Sequence, residues 1–307
     1  MSAKLPRVAV IGLGSMGLGM ARSLLRAGFE VAGCDLSDAA RAALAAAGGH
    51  PSATPAEAAA GAVAVLVVVV NGAQTETVLF GENGAAAALA PGAVILSSAT
   101  MAPTDAKRFA ARAEAMGLHC LDAPISGGAA KAGSGELSVM ASGTEAAFAA
   151  ARPVLGAIAG RVHELGAEAG IGSSFKIVNQ LLAGVHIAAA CEAMAFAKSL
   201  ELDLGRVFEV ITQSAGNSWM FENRVPHILS GDYSPKSAVS IFTKDLGIIQ
   251  DIGRSGNFPL PVASAALQLF VATAAAGMAR DDDASVIRLY AMIAGLDLPS
   301  KTEPETL

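Results

Sequence analysis

Short apolar runs alternate with alanine-rich segments along the first half of the chain, from Arg7 to about Leu165. The apolar runs are rich in β-branched residues and have the length of strands, whereas the alanine-rich segments favour helices. This alternation is typical of β-α-β units, which build a parallel sheet covered by helices on both faces. The predicted strands are residues 8–11, 30–34, 63–70, 94–96, 119–121, 138–141 and 162–164.

The strand pattern stops after Gly166, and residues 173–200 form one long apolar stretch of helical character without an internal proline. Further helical patterns continue to about Ala294. We therefore predict a doubly wound α/β domain over residues 1–167 and an all-α domain over residues 168–307. A long helix over about 172–200 is expected to connect them, with a cleft along its N-terminal half.

Length, charge and cysteine content exclude several classes of protein. The 307 residues suit two domains, and a net charge of -6 with a pI near 5.4 argues against a nucleic-acid partner. Cys34, Cys120 and Cys191 are widely spaced and odd in number, which favours reduced thiols in the cytosol. We expect no metal site, because the sequence has no C-x-x-C or H-x-x-x-H pair. We expect neither a leader peptide nor a segment long enough to span a bilayer, and therefore a cytoplasmic protein with no membrane partner.

A glycine-rich turn follows the first predicted strand and opens an alanine- and leucine-rich helix. Glycines at this place allow a tight turn and a close approach of the backbone to a pyrophosphate, which the amides at the helix start can bind. The strand before the turn and the helix after it make this a Rossmann-type dinucleotide site. Its residues are Gly12, Leu13, Gly14, Ser15, Met16 and Gly17.

Asp35 ends the second predicted strand, where a carboxylate can accept both ribose hydroxyls of NAD. The 2′-phosphate of NADP would meet a like charge there, and neither Leu36 nor Ser37 supplies an arginine to offset it, so we predict NAD. Asn71 and Thr100 end later strands at the carboxyl edge of the predicted sheet, where cofactors bind in such folds. Either residue could instead be an ordinary cap.

Lys176 and Asn179 lie three residues apart near the start of the long helix and therefore project from one face. A lysine that is half-buried near a positively charged nicotinamide ring loses proton affinity, so its neutral amine can accept a hydroxyl proton as hydride leaves. Ser126, Gly127 and Gly128 follow the strand at 119–121 and offer a hydroxyl and open amides to a carboxylate. A solvated lysine and a plain connecting turn are the alternatives.

Lys244, Asn217 and Trp219 are further candidates for ligand binding. For Lys244 a purely structural role is weighed equally, and for Trp219 it is favoured. Lys244 lies in a helical pattern and could close over the cofactor or substrate, or could be a surface charge. Trp219, the single tryptophan, lies beside Asn217 and Ser218 in a set that suits a polyol chain, although core packing is the commoner use of a tryptophan.

Together these motifs resemble the β-hydroxyacid dehydrogenase family, which includes 3-hydroxyisobutyrate dehydrogenases and tartronate semialdehyde reductases. The resemblance covers nearly the whole chain and rests on four motifs in the family's order, at residues 12–17, 122–128, 170–180 and 244–246. It implies that Lys176 is the catalytic acid/base, that Ser126, Gly127 and Gly128 bind the substrate carboxylate, and that Asn179 positions the substrate. Lys244 would help bind cofactor or substrate.

Segments 70–75, 185–190 and 215–224 resemble the bacterial branch of this family that oxidises L-threonate. The resemblance implies oxidation of L-threonate at C2 to 2-oxo-tetronate with NAD, and Asn217 and Trp219 as substrate-binding residues. A homodimer or homotetramer is expected, because homo-oligomers are common. The alternatives are a reductase of tartronate semialdehyde or a related semialdehyde that uses NAD(P)H, an imine-reducing relative, and an NAD-binding scaffold without catalysis.

Overall fold

The computed structural model describes residues 5–301 of the chain. The chain forms two compact units, Met1–Ile177 and Val178–Leu307, which divide inside one long helix. The predicted border between residues 167 and 168 lies just before that helix, and the assignment of functions to the two domains stays a prediction.

A parallel six-stranded sheet forms the centre of the first unit, with strand order β3-β2-β1-β4-β5-β6. The order reverses beside β1, so the ends of β1 and β4 border the point where ligands of such sheets bind. The strands are β1 (Leu5–Ile11), β2 (Phe29–Cys34), β3 (His50–Ser52), β4 (Ala64–Val67), β5 (Val94–Ser97) and β6 (His119–Asp122).

Successive side chains of a strand point to opposite faces of the sheet, and in this sheet both faces are buried. Val8 and Val10 of β1 belong to one apolar cluster, and Ala9 and Ile11 belong to the other. The predicted doubly wound α/β domain is thereby confirmed. The helices of this unit are α1 (Ser15–Arg26), α2 (Asp38–Ala46), α3 (Pro55–Ala59), α4 (Gly72–Phe80), α5 (Pro103–Glu114), α6 (Gly128–Ser134) and α7 (Glu145–Ile158).

A second, three-stranded sheet contains β7 (Ile125–Ser126), β8 (Leu137–Ala141) and β9 (Ala159–Glu164). The strands predicted at 138–141 and 162–164 belong to this sheet, so the expectation that they extend the parallel sheet is wrong. The physical reason is the short β7, which pairs with β8 in antiparallel orientation and sets β8 apart from β6.

The strand predicted over 63–70 is also shorter than its β-branched run. β1 ends at Ile11 and turns at Gly12, so the last backbone bond between the two segments joins the Val68 amide to the Ile11 carbonyl at 2.8 Å. Beyond Val68 the run has left its ladder partner on β1, and a hydrophobic run without a partner strand does not remain a strand.

The second unit is helical, as predicted. Its helices begin with α8 (Ile171–Ser199), which starts in the first unit and matches the predicted connecting helix within one residue at each end. The others are α9 (Leu204–Ile211), α10 (Trp219–Ser230), α11 (Val239–Ser255), α12 (Pro261–Thr273) and α13 (Val286–Ala294).

Two helices of the described chain are long and apolar enough to cross a membrane by length and composition alone, at Ile171–Ser199 and Pro261–Met278. The expectation that no segment reaches this length is therefore wrong. Alanine explains the difference, because it raises the mean hydropathy of a helix and is also the strongest helix former in water-soluble proteins. Core helices of soluble proteins satisfy the same criteria, and 56% of the apolar window in the first helix is buried within the protein.

Helix α1 packs against α6 at a very close distance at Gly19. A side chain added there would place its Cβ 2.9 Å from the Ala132 Cβ and 2.9 Å from the Gly133 amide nitrogen. The Ser23 hydroxyl donates to the Ala132 carbonyl at 2.9 Å one turn later, which fixes the same contact. Because the neighbouring atoms include backbone, they cannot rotate away.

Gly19→Ala is expected to lower the free energy of unfolding by about 1–3 kcal/mol, the usual cost of adding a methyl group to a packed interface. Gly156→Ala is the matched control, because Gly156 lies inside α7 with no heavy atom within 4 Å of its added Cβ. That control should raise stability by about 0.5–1 kcal/mol through helix propensity. Urea unfolding followed by circular dichroism measures both, and equal effects would refute the close packing of α1 on α6.

Candidate active site

The turn between β1 and α1 and the first turn of α1 each contain one position that admits only glycine. Gly12 has φ +92°, and a Cβ there would lie 2.5 Å from the Val68 carbonyl oxygen. A Cβ on Gly17 would lie 1.8 Å from the Gly12 carbonyl oxygen. The turn therefore has the tight shape that the sequence predicts for the phosphate-binding loop.

The start of α1 is suited to an anion. No side chain caps it, and its first turn contains no acidic residue. Gly14 and Ser15 are exposed, and a Cβ on Gly14 would meet nothing within 4 Å. The space beside this turn and the partial positive charge of the helix start fit the pyrophosphate of a dinucleotide.

Asp35 follows β2 directly, and backbone amides fix its carboxylate. Oδ2 accepts a hydrogen bond from the Leu13 amide at 2.6 Å, and Oδ1 accepts one from the Ser37 amide at 2.8 Å. Arg41, one helical turn into α2, donates to the Asp35 carbonyl and to the Asp38 carboxylate. The sequence argument considered only positions 36 and 37 and so missed this arginine.

Asn71 and Thr100 lie beyond the strands they were expected to end. Asn71 follows the end of β4 by four residues and Thr100 follows the end of β5 by three. Asn71 caps α4, where its Oδ1 accepts the Gln74 amide at 2.8 Å. Asn71 thus caps a helix and not the end of a strand, and contact of either residue with a cofactor stays a prediction.

Lys176 is 8% exposed, and its Nζ donates to the Ile125 carbonyl at 2.9 Å. Ser126, Gly127 and Gly128 come directly after that carbonyl, so the structure brings the predicted catalytic lysine to the predicted carboxylate-binding segment. Gly127 and Gly128 have φ of 135° and 76°, a region that favours glycine. The segment is half-buried at Ser126 and exposed at Gly128, which leaves it open to a ligand.

Asp122, the first residue of the motif at 122–128, is buried against the start of α8. It is 1% exposed and accepts hydrogen bonds from the Gly170 amide at 2.8 Å, the Ser173 amide at 2.8 Å and the Ser173 hydroxyl at 2.7 Å. The Ser142 hydroxyl lies 3.5 Å from its Oδ2. Burial is the largest influence and raises the pKa of the Asp122 carboxyl, while these hydrogen bonds act in the opposite direction.

Asn179 and Lys244 are joined within the second unit by two residues that the sequence argument gave no role. The Asn179 amide donates to the Gln180 oxygen at 2.9 Å, and the Gln180 amide donates to Asp245 Oδ2 at 2.5 Å. The Lys244 Nζ lies 2.6 Å from Asp245 Oδ1. Asp245 is 1% exposed, so it is a buried carboxylate between an amide and an ammonium group.

Asn217 and Trp219 lie at the turn between α9 and α10. The Asn217 amide donates to the Thr212 carbonyl at 3.1 Å and to Glu222 Oε1 at 2.5 Å, whereas its Oδ1 has no hydrogen-bond partner among residues 5–301. Trp219 is the first residue of α10 and is 57% exposed. The alternative that Trp219 packs in the core is therefore wrong, and its substrate-binding role stays a prediction.

Comparison with known families assigns both halves of the chain. Residues 7–166 match the family described as the NAD binding domain of 6-phosphogluconate dehydrogenase. Residues 170–290 match the family described as NAD-binding of NADP-dependent 3-hydroxyisobutyrate dehydrogenase. The expectation of a nicotinamide cofactor is thereby confirmed.

Individual proteins of similar sequence extend over nearly the whole chain. L-Threonate dehydrogenase of Cupriavidus necator is 54% identical over 296 residues, which is 96% of this chain and 99% of that protein. L-Threonate dehydrogenase of Escherichia coli K12 is 49% identical, over 95% of this chain and 96% of that protein. The crystal structure of 3-hydroxyisobutyrate dehydrogenase from Salmonella typhimurium superposes with a TM-score of 0.88 at 48% identity, covering 93% of this chain and 100% of that one.

Asp35→Asn is expected to lower kcat/KM for NAD by about 10- to 100-fold, because a hydrogen bond to a charged group contributes about 1.5–3 kcal/mol. The value for NADP should fall less or rise, since the repelling charge is gone and Arg41 stays nearby. Initial rates with both cofactors measure the ratio. An unchanged ratio, at a melting temperature equal to wild type, would show that Asp35 does not set cofactor choice.

Proposed function

Because the chain belongs to the 3-hydroxyisobutyrate dehydrogenase family of β-hydroxyacid dehydrogenases, we propose that it oxidises L-threonate at C2 to 2-oxo-tetronate. Membership makes the chain an NAD-dependent oxidoreductase that acts on a CH–OH group. The substrate is the proposed part. Relatives named L-threonate dehydrogenase, two of which match 96% and 95% of this chain, support it.

One observation carries the chemical part of the proposal: the hydrogen bond between Lys176 Nζ and the Ile125 carbonyl. It places a buried amine beside Ser126, Gly127 and Gly128, which can bind a carboxylate with a hydroxyl and backbone amides. We propose that a hydroxyl on the carbon next to a carboxylate bound there lies within reach of the amine. The short distance between acid group and reacting hydroxyl in a 2-hydroxy acid suits this arrangement.

The proposed reaction moves one proton and one hydride. Lys176, as the neutral amine, accepts the proton of the C2 hydroxyl, so that the oxygen keeps its electron pair and forms the new carbonyl. The hydrogen on C2 leaves with its bonding pair. NAD supplies, when bound, the nicotinamide carbon that accepts this hydride. In the reverse direction Lys176 donates the proton to the carbonyl oxygen.

Four residues of the second unit have proposed roles in ligand binding. Asn179 is proposed to position the substrate, and Lys244 to bind the cofactor or substrate. The chain of bonds through Gln180 and Asp245 supports this, because it holds both side chains in fixed positions within their unit. Asn217 and Trp219 are proposed to bind the far hydroxyls of the sugar acid, with an unpaired amide oxygen and an exposed ring.

We further propose a cytoplasmic homodimer or homotetramer. Large apolar side chains of the second unit are exposed, among them Phe258, Val262, Met292 and Ile293, each at least 63% exposed. Apolar surface of this kind is typical of an interface between copies of a chain.

A substrate panel tests the proposed reaction. L-Threonate is expected to give NADH with a kcat/KM at least about 10-fold above those for D-threonate, the two erythronates, glycerate and 3-hydroxyisobutyrate, because unpaired buried polar groups penalise the wrong acid. Absorbance at the nicotinamide band measures the rates. Turnover of another acid without NADH from L-threonate would overturn the substrate, and faster reduction of tartronate semialdehyde would favour the reductase.

Lys176→Ala is expected to lower kcat about 10²- to 10⁴-fold, the usual contribution of a general acid/base group. Lys198→Ala is the matched control, because Lys198 lies in the last turn of the same helix, and its rate should stay within about two-fold. Steady-state kinetics with the best acid of the panel measures both variants. A Lys176→Ala rate within a few-fold of wild type would show that another group accepts the proton.

A further inference from the structure

The first turn of α8 has no cap of its own. The residue before it is Gly170, which has no side chain, although the first amides of a helix need acceptors from outside the helix. Asp122 Oδ2 accepts from the Gly170 and Ser173 amides, and the Ser142 hydroxyl accepts from the Gly172 amide at 2.9 Å. Residues far away in sequence therefore satisfy the start of this helix.

The same short segment that caps the helix also binds the lysine. Asp122 and Ile125 are three residues apart, and so are their partners Ser173 and Lys176. Three helical residues correspond to a rise of about 4.5 Å, which is less than one turn. Any shift of the helix start relative to Asp122 therefore also moves the backbone that carries the Lys176 side chain.

Close packing removes the remaining freedom at this place. A Cβ on Gly172 would lie 2.4 Å from the Met140 carbonyl oxygen and 2.8 Å from the Asp122 carbonyl oxygen. The backbone of Asp122 is itself bonded to Ser142 in both directions, at 3.0 and 2.8 Å. The helix start is held between the ends of β6 and β8.

We propose that Asp122 is a positioning residue for the reaction: its carboxylate fixes the first turn of α8 and so sets Lys176 Nζ against the Ile125 carbonyl. This inference rests on the proposed acid/base role of Lys176. Asp122 is 1% exposed, and its acceptor atoms point to the helix, so it acts through Lys176 and not on the substrate.

A neutral cap would be sufficient if the helix start needed only its hydrogen bonds. Asn71 caps α4 and Ser218 caps α10 in this chain without a buried charge. Burying a carboxylate costs free energy unless several donors bind it, and here two amides and two hydroxyls do. A group bound from so many sides is rigid, and rigidity at this place is of use to a base that must reach one proton.

Asp122→Asn keeps the shape of the side chain and replaces one acceptor oxygen with a donor that faces other donors. We expect kcat to fall about 10- to 100-fold, the effect of a displacement near 1 Å in a catalytic group, with KM for NAD within about three-fold. The primary isotope effect on kcat, measured with the acid deuterated at C2, should rise as the chemical step slows. Unchanged kcat and isotope effect in a folded variant would overturn the proposal.

A double variant separates positioning from general damage. In the Lys176→Ala background, Asp122→Asn should lower the residual rate by less than about three-fold, because the group it positions is already gone. Losses that multiply would show that Asp122 acts independently of Lys176, and would refute the proposal. If Lys176→Ala alone keeps the wild-type rate, the acid/base role of Lys176 is wrong and this inference falls with it. If Lys176→Ala loses the rate but Asp122→Asn keeps it, only the positioning role of Asp122 is refuted.

Asp203→Asn is the matched control for removing a carboxylate cap. Asp203 Oδ1 accepts the Arg206 amide at 2.7 Å at the exposed start of α9. Asparagine keeps the Oδ1 acceptor and can cap this helix as Asn71 caps α4, so the melting temperature, kcat and the isotope effect should all stay near wild-type values. If Asp122→Asn does not fold, Ser173→Ala, which removes only the 2.7 Å bond to Asp122 Oδ1, should still lower kcat about 3- to 10-fold.

Hydrogen exchange gives a readout that needs no substrate. Amides of residues 170–177 should exchange at least about 10-fold faster in Asp122→Asn, or in Ser173→Ala, than in wild type, and should not change in Asp203→Asn. Unchanged exchange in that segment would overturn the proposal, whichever acid the enzyme oxidises.

Discussion

The hydrogen bonds between Asp122 and the first turn of α8 are the constraint on which the site depends. They join residues about fifty positions apart in sequence, at the place where the parallel sheet, the small second sheet and the long helix meet. Without an acceptor at Gly170, the helix needs this contact to begin where it does. The position of Lys176, less than one turn later, follows from where the helix begins.

The same geometry explains why the acid-binding segment and the lysine lie together. Ile125 lies between Asp122 and the Ser126–Gly128 turn, and its carbonyl accepts a hydrogen bond from Lys176 Nζ. One stretch of backbone thus orders both the group that would hold a carboxylate and the group that would take a proton. Their relative position is set by a short stretch of backbone and by the hydrogen bonds of Asp122 and Ile125 with α8 and the residue before it, which is the kind of arrangement that catalysis by orientation requires.

Local physics determined what the sequence could predict. The glycines of the first turn could be assigned because neighbouring backbone atoms exclude any Cβ at Gly12 and Gly17, and the helix that follows shows in its own pattern. Asp35 could be assigned as a candidate cofactor-binding residue because it lies at the end of a predicted strand. The length of α8 follows from an apolar run without proline.

Contacts between distant segments could not be predicted in this way. Nothing near residue 63 shows that its β-branched run loses its partner after Val68, since that depends on where β1 turns. The separation of β8 from the parallel sheet depends on the two residues of β7. Arg41 reaches Asp35 because α2 turns back, and Asp245 lies between Gln180 and Lys244 because two helices pack.

The proposed roles of the residues in each unit have a consequence for substrate choice. In the proposed site, the carboxylate turn and the base belong to the first unit and are coupled to the helix start, so a change in either disturbs the chemistry. Asn217 and Trp219 lie where α9 and α10 of the second unit meet, and the Asn217 amide donates to Thr212 at the end of α9 and to Glu222 in α10. Residues at such a turn can change without moving Lys176. Selection for a new hydroxy acid would therefore act on the far end of the substrate, and the Asp122–Lys176 contacts would stay as they are.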